Sequence, residues 1–270
     1  MTQASNIPLL PTDLVSEMHG RVLVLTINRP RTYNAWTEAL RAEFTRRMHL
    51  ADKDENVDAV VITGSGDKAF CAGQDLNETE QKPGDGHVEA VLQRFVACYD
   101  SLRWFGKPVV AAVNGVAAGS GFQLMQFCDY AVGHPGVRLG QTEVNSGMPS
   151  VLGTWLMWER IGNRAYELVL QGRLMGGEEA KQLGFINEIV EPAKVLEVAL
   201  EAARRLAAQP QLAFRITKAA NRQFEQERYA AALKLSVEAN RQAFQSGAAQ
   251  KQIREFLESR RARKASTQPR

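Results

Sequence analysis

Only three of the 270 residues are cysteine, Cys71, Cys98 and Cys128. The number is odd and the spacing wide, which excludes a disulfide framework. They read as small packed side chains in a reducing compartment, and a cytoplasmic location is expected. No apolar run approaches the ~20 residues needed to cross a bilayer. Residues 1–10 also lack the basic-then-apolar pattern of an export signal, so no membrane partner is expected. Histidine is scarce: His19, His49, His87 and His134 lie far apart and match no metal-ligand spacing, so no metal is expected. An excess of one charge is missing too. The 33 basic and 30 acidic residues leave a net +3, too small to argue for nucleic acid. The basic residues that do cluster, Arg260, Arg261, Arg263, Lys264 and Arg270, read as a solvated tail.

Several motifs are absent as well. Gly64-Ser65-Gly66 has no third glycine at dinucleotide-binding spacing, and Gly115 to Gly119 is not followed by the Lys-Ser/Thr of a P-loop. Ser120 lacks the glycines two residues before and after that a nucleophile elbow needs.

What is present is an alternating chain with 44% hydrophobic residues, enough for one substantial core. Residues 21–27, 57–63 and 108–113 are β-branched, continuously apolar runs that read as buried strands, and 130–132 as a short one. Thr37 is placed to cap a helix carrying Leu40, Phe44 and Met48 one turn apart. Leu92, Phe95, Val96, Tyr99 and Leu102 mark another helix with one apolar face, and a further helix opens at Gly119-Ser120-Gly121. Residues 77–88 are polar and rich in turn formers, and read as a mobile loop. Apolar strands alternating with helices predict a parallel α/β sheet covered on both faces. From about Pro192 the pattern is helical only; this end has few partners of its own and should pack on the core or on another subunit.

Two glycine-rich turns follow buried strands. One is Phe70-Cys-Ala-Gly-Gln-Asp-Leu76, the other Asn114-Gly-Val-Ala-Ala-Gly-Ser-Gly121. Ligands collect at the carboxyl ends of such strands, small residues let them approach the main chain, and a helix start offers free N–H groups.

The first turn resembles the F-x-A-G-x-D-[LI] turn of the enoyl-CoA hydratase/isomerase (crotonase) superfamily. Lys107 to Gly115 followed by Gly119-Ser-Gly121 resembles its second signature. Asn28-Arg-Pro-Arg-Thr-Tyr-Asn-Ala35 is similar to its early CoA-contacting loop. Residues 218–222 and 256–260 share its closing character, so the resemblance covers roughly residues 13–260. It implies a crotonase-like spiral of ββα units with a helical C-terminal segment. The implied division is a flexible N-terminus (1–12), a ββα core (13–191), a helical trimerisation segment (192–260) and a disordered basic tail (261–270). The implied partners are an acyl-CoA thioester and further copies of the chain, as homotrimer or hexamer. No cofactor is implied, because CoA is part of the substrate.

By the same resemblance, the backbone N–H groups of Gln74 and Ser120 would hold a thioester oxygen as it becomes anionic. Glu143 matches the later of two glutamates that hold a water in the hydratases. The earlier one falls on Gln123, an amide that can orient a water but cannot take its proton. Arg31, Tyr33, Ala35, Ala72, Asp75 and Leu76 would border the substrate, with Asp75 also capping the next helix. Hydration by the hydratase route is the leading expectation. A Δ3,Δ2-enoyl-CoA isomerase shuttling a proton through one glutamate, and a binding protein that kept the fold without the chemistry, are the alternatives. Cys71 is read as a small turn residue, and Trp36, Trp104, Trp155 and Trp158 as core or subunit contacts rather than cofactor stackers.

Overall fold

Residues 59–64 show why this chain builds layers. All six residues are buried, and the two-residue period sends successive side chains to opposite faces. Val60 and Ile62 enter one core with Phe44, Phe95 and Tyr99, while Ala59 and Val61 enter a second, thinner core. A strand covered on both sides needs helices on both sides, and the chain supplies them.

A computed structural model describes residues 12–80 and 88–266, with side chains for 12–79 and 88–259. The chain opens on a hairpin, β1 (Leu14–His19) and β2 (Val22–Ile27), then forms α1 (Glu38–Lys53), β3 (Ala59–Gly64), β4 (Ala69–Cys71), α2 (Leu76–Glu80) and α3 (Val88–Arg103). Next come β5 (Val109–Ala112), β6 (Val116–Ala118), α4 (Ser120–Gln126), β7 (Tyr130–Gly133) and β8 (Arg138–Gly140). After them follow α5 (Val151–Ile161), α6 (Arg164–Gln171), β9 (Met175–Gly176), α7 (Gly177–Gln182) and β10 (Glu188–Ile189). The chain then turns helical: α8 (Val195–Ala207), α9 (Gln211–Gln245) and α10 (Ala248–Ser266).

The large sheet has the order β1-β2-β3-β5-β7-β10 and is parallel except for β1. A small sheet, β4-β6-β8-β9, is parallel except for β9. Three times the chain leaves the large sheet by one strand, enters the small sheet by the next, and continues into a helix: β3-β4, β5-β6, β7-β8. These steps are the expected ββα spiral. Short α8 closes the outer face of the large sheet with Ala199, Ala202 and Ala203, whose small side chains suit close packing on the strands.

The parallel strands, the Thr37 cap of α1 (its hydroxyl accepts from Leu40 N at 3.2 Å) and the α3 face follow the sequence expectations. Four features differ. Strand β1 alternates poorly in burial, so its period carried no signal. The small-sheet strands are two or three residues long and lie inside what read as turns. The stretch expected as a loop at 77–88 is helical at both ends, in α2 and from Val88; residues 81–87 lie outside the described residues. The last helix also continues through 261–266, where a disordered tail was expected, while 1–11 and 267–270 lie outside the described residues. Helices α9 and α10 fold back on the same chain, α9 against α3 and α5 and α10 against α2. Among the described residues, no helix is long and apolar enough to cross a membrane.

Candidate active site

The three small-sheet strands β4, β6 and β8 run parallel, so their carboxyl ends lie on one edge. The residues that follow them are Ala72 to Asp75, Gly119-Ser120 and Gln141 to Glu143. The spiral thus brings together segments some 70 positions apart, at the edge where ligands of parallel sheets collect.

The first turn is held by the loop at 28–36. Ala72 N donates to Tyr33 O (3.0 Å), Trp36 N to Gly73 O (3.0 Å), and Asp75 N to Trp36 O (3.1 Å). Tyr33 and Asn34 take positive φ, 57° and 55°. Asn34 is buried, and its amide donates to Ala69 O at 2.6 Å and to Ser65 O at 3.0 Å, which ties the loop to β4. Asp75 is buried: one carboxylate oxygen pairs with Arg29 Nη1 at 3.0 Å, and the other accepts from Asn77 N at 3.1 Å, capping α2. Its charge is therefore engaged within the protein. The bonds to Gly73 O and Asp75 N bracket Gln74, whose own N–H finds no acceptor among the described residues.

The second turn is built by Gly119, with φ 52° and ψ −126°, a backbone conformation that favours glycine. Its N–H donates to Gly140 O at 2.9 Å, fastening it to β8. The next residue, Ser120, is the first of α4, and its N–H also lacks an acceptor among the described residues. The two turns touch: a Cβ on Gly73 (φ 94°) would stand 2.8 Å from Ala118 O and 3.5 Å from both the amide nitrogen and the hydroxyl of Ser120. The fully buried Trp36 joins them through its side chain as well, its indole N–H donating to Ser120 Oγ at 2.9 Å.

Glu143 opens a 3-10 turn at the third exit. A Cβ on Gly119 would lie 3.6 Å from its carboxyl group. Gln123 Nε2 donates to Glu143 Oε1 at 2.7 Å, and Gln123 Oε1 accepts from the Tyr99 hydroxyl at 2.8 Å. Gln141, oriented with its NH2 toward the carboxylate, donates to Oε1 at 3.0 Å and accepts from Gln126 at 3.2 Å. Loss of solvation pushes the Glu143 carboxyl up to about 7, with smaller hydrogen-bond contributions, from its own N–H first and from Gln123 among the rest, pulling the other way. A carboxyl poised near neutrality can both take and return a proton. Cys71, by contrast, is fully buried and its thiol is pushed up to about 12, so it is no nucleophile. Among the described residues no cluster of His, Cys, Asp and Glu could hold a metal.

The two turns and the Glu143 exit open on one cleft of about 1210 Å³. Gln74, Ser120, Gln123 and Glu143 line it together, as do Arg31, Tyr33, Ala35, Ala72, Asp75 and Leu76. Sequence reasoning missed Lys68, exposed at the mouth with Arg31, and Tyr99, read only as part of an apolar face. It also missed the wall that α9 and α10 supply through Leu233, Phe244, Phe256 and Leu257. The indole of Trp36 carried a signal that was not followed: a buried N–H requires a partner. Trp104 and Trp158 remain about half exposed.

The same fold occurs in solved proteins. An enoyl-CoA hydratase/isomerase from Mycobacterium paratuberculosis matches with a TM-score of 0.83 at 25% identity, over 91% of this chain and 99% of that one. The spiral with its helical end is thus the crotonase fold. A short-chain-enoyl-CoA hydratase of Clostridium acetobutylicum is 32% identical over 211 residues, 77% of this chain and 80% of the relative. The 2,3-dehydroadipyl-CoA hydratase of Escherichia coli is 33% identical over 217 residues, 80% and 84% of the two chains. The chain belongs to the enoyl-CoA hydratase/isomerase family, whose sequence profile matches residues 17–265.

Proposed function

We propose that the chain adds water to 2-enoyl-CoA thioesters, as an acyl-CoA lyase of the enoyl-CoA hydratase type. The thioester oxygen accepts from the N–H groups of Gln74 and Ser120 as negative charge moves onto it, and Glu143 handles the proton. One observation carries this reading: two amides without acceptors among the described residues, at neighbouring strand exits, share a cleft with a carboxyl lifted to about 7. Donors fixed in advance favour the enolate over the neutral thioester, and each is worth on the order of 10²–10³ in rate. CoA belongs to the substrate, and this chemistry requires no cofactor. Arg31 and Lys68 at the mouth suit its phosphates. Among the described residues the charged ones of the cleft are Arg31, Lys68, Asp75 and Glu143, all near the turns, which favours an uncharged acyl group against the helices.

A second reading is isomerisation, with Glu143 taking a proton from C2 of a 3-enoyl-CoA and returning it at C4. It is favoured by Gln123, whose amide is already hydrogen-bonded to Tyr99 and Glu143 at its two ends and which has no carboxylate to activate a water. Offering 2-trans-enoyl-CoA and 3-enoyl-CoA separately, and following each by absorbance, divides the two. In both, Glu143→Gln should cost about 10²–10⁴ in turnover while acyl-CoA binding stays within a few-fold. Undiminished turnover would end the acid/base reading; a parent enzyme that binds CoA thioesters and turns over none would leave a binding protein. Leu212, Ile216 and Phe224 stay exposed on α9, apolar surface suited to burial in a homotrimer or hexamer, an assembly that light scattering measures.

A further inference from the structure

We propose that Tyr99 is a positioning residue for Glu143, acting through Gln123: its hydroxyl holds the Gln123 amide with the NH2 end turned to the carboxylate. The inference rests on the acid/base reading of Glu143 and adds to it the group that sets its orientation.

Tyr99 comes from α3, Gln123 from α4 and Glu143 from the exit of β8, so the chain of bonds spans three elements. The ring of Tyr99 is 1% exposed. It packs against Phe95 with centroids 5.9 Å apart and against Phe127 at 4.8 Å. Those contacts fix where the hydroxyl stands. From there it donates to Gln123 Oε1 at 2.8 Å, and Gln123 Nε2 donates to Glu143 Oε1 at 2.7 Å.

An amide is an ambiguous neighbour, because it can present either an acceptor or a donor. A carboxylate needs the donor. Burial pushes the Tyr99 hydroxyl well above its ordinary range, so it keeps its proton wherever the enzyme works. A phenol that keeps its proton, turned as donor to Gln123, claims the amide oxygen and leaves the NH2 for Glu143. The arrangement serves both protonation states. When Glu143 carries a proton on Oε2, its Oε1 still accepts from Gln123, so the amide need not turn during a catalytic cycle. Proton transfer is thereby assigned to Oε2, which the Gln141 NH2 approaches less closely, at 3.3 Å against 3.0 Å for Oε1. Gln123 is then neither a second base nor a free water holder; it is the link between Tyr99 and the acid.

Tyr99→Phe removes the hydroxyl and keeps the packed ring. One hydrogen bond of this kind corresponds to about 3- to 10-fold. We expect kcat to fall by that factor with KM changed less than about 3-fold, and the limb of the pH profile set by Glu143 to move to higher pH, since the anion loses an oriented donor. In a Gln123→Leu background, Tyr99→Phe should add nothing, because the link is already gone. An unmoved limb, or the same loss in both backgrounds, would overturn the proposal. If Tyr99→Phe does not fold, Gln123→Leu decides: it must itself move the limb upward, and a limb at the parental position overturns the proposal. A Glu143→Gln enzyme that stays active defeats the acid/base reading instead, so the two failures are distinct.

Discussion

The two ends of the cleft are made differently. At the turn end the proposed oxyanion donors are main-chain N–H groups, held by strand exits, by glycines with positive φ and by the bonds that Trp36 makes to both turns. At the far end the wall is side chains: Leu233 and Phe244 of α9, Leu257 of α10. Backbone geometry depends on local sequence and tolerates little change. A side-chain wall depends on where distant helices dock, and it can be resculpted one residue at a time. Substitutions at the first end should therefore alter rate for every substrate, and substitutions at the second should alter the ranking of substrates.

Among substitutions that reshape the cleft, the largest effect belongs to Gly73→Ala. The new Cβ would meet Ala118 O at 2.8 Å in a conformation, φ 94°, that alanine rarely adopts. The two turns must separate, and one amide leaves its position. A loss of about 10²–10³ in kcat is expected, equal for short and long acyl chains. Steady-state rates on four- and eight-carbon enoyl-CoA thioesters measure it, and a loss confined to one chain length would break the distinction between the two ends.

Phe244→Ala tests the other end with a smaller effect. Removing that ring should change the ratio of kcat/KM between eight- and four-carbon substrates about 10-fold, while kcat on the four-carbon substrate holds within about 3-fold. Equal losses on both would mean that α9 supports the turns rather than the acyl group.

The same contrast explains what could be read before the fold was known. Gly73, Gly119 and the strand runs before them are local signals that mark two turns at strand exits; Gln74 and Ser120 within those turns were singled out by the family resemblance. Glu143 came from a family resemblance; in isolation it is one loop glutamate among many. Tyr99 showed its helix face but not its hydroxyl's partner, because Gln123 is 24 positions away and joins it only through the spiral. The wall from Leu233 to Leu257 was illegible for the same reason. Periodicity gives a helix its apolar side and says nothing about which surface 140 residues earlier receives it. The small sheet escaped notice because strands of two or three residues are too short to show a period.

The smallest effect separates the ends by pH. The folded protein holds Glu143 near 7, whereas an unfolded glutamate titrates near 4.5. The folded state therefore binds this proton more tightly, and the stability that goes with it is present below about pH 4.5 and lost as pH rises through 7. Glu143→Gln cannot ionise and escapes that loss. Relative to the parent it should gain about 1–2 kcal/mol between pH 5 and pH 8, less than the full shift because the residue is partly open to solvent. In a chain of this length that is a few degrees in melting temperature. Phe244→Ala carries no titrating group, so its destabilisation should be the same at both pH values. Melting curves of the three proteins at pH 5 and pH 8 make the comparison. A pH-independent gap between parent and Glu143→Gln would mean that the carboxyl is solvated like any surface glutamate, and that the turn end was not built around a proton.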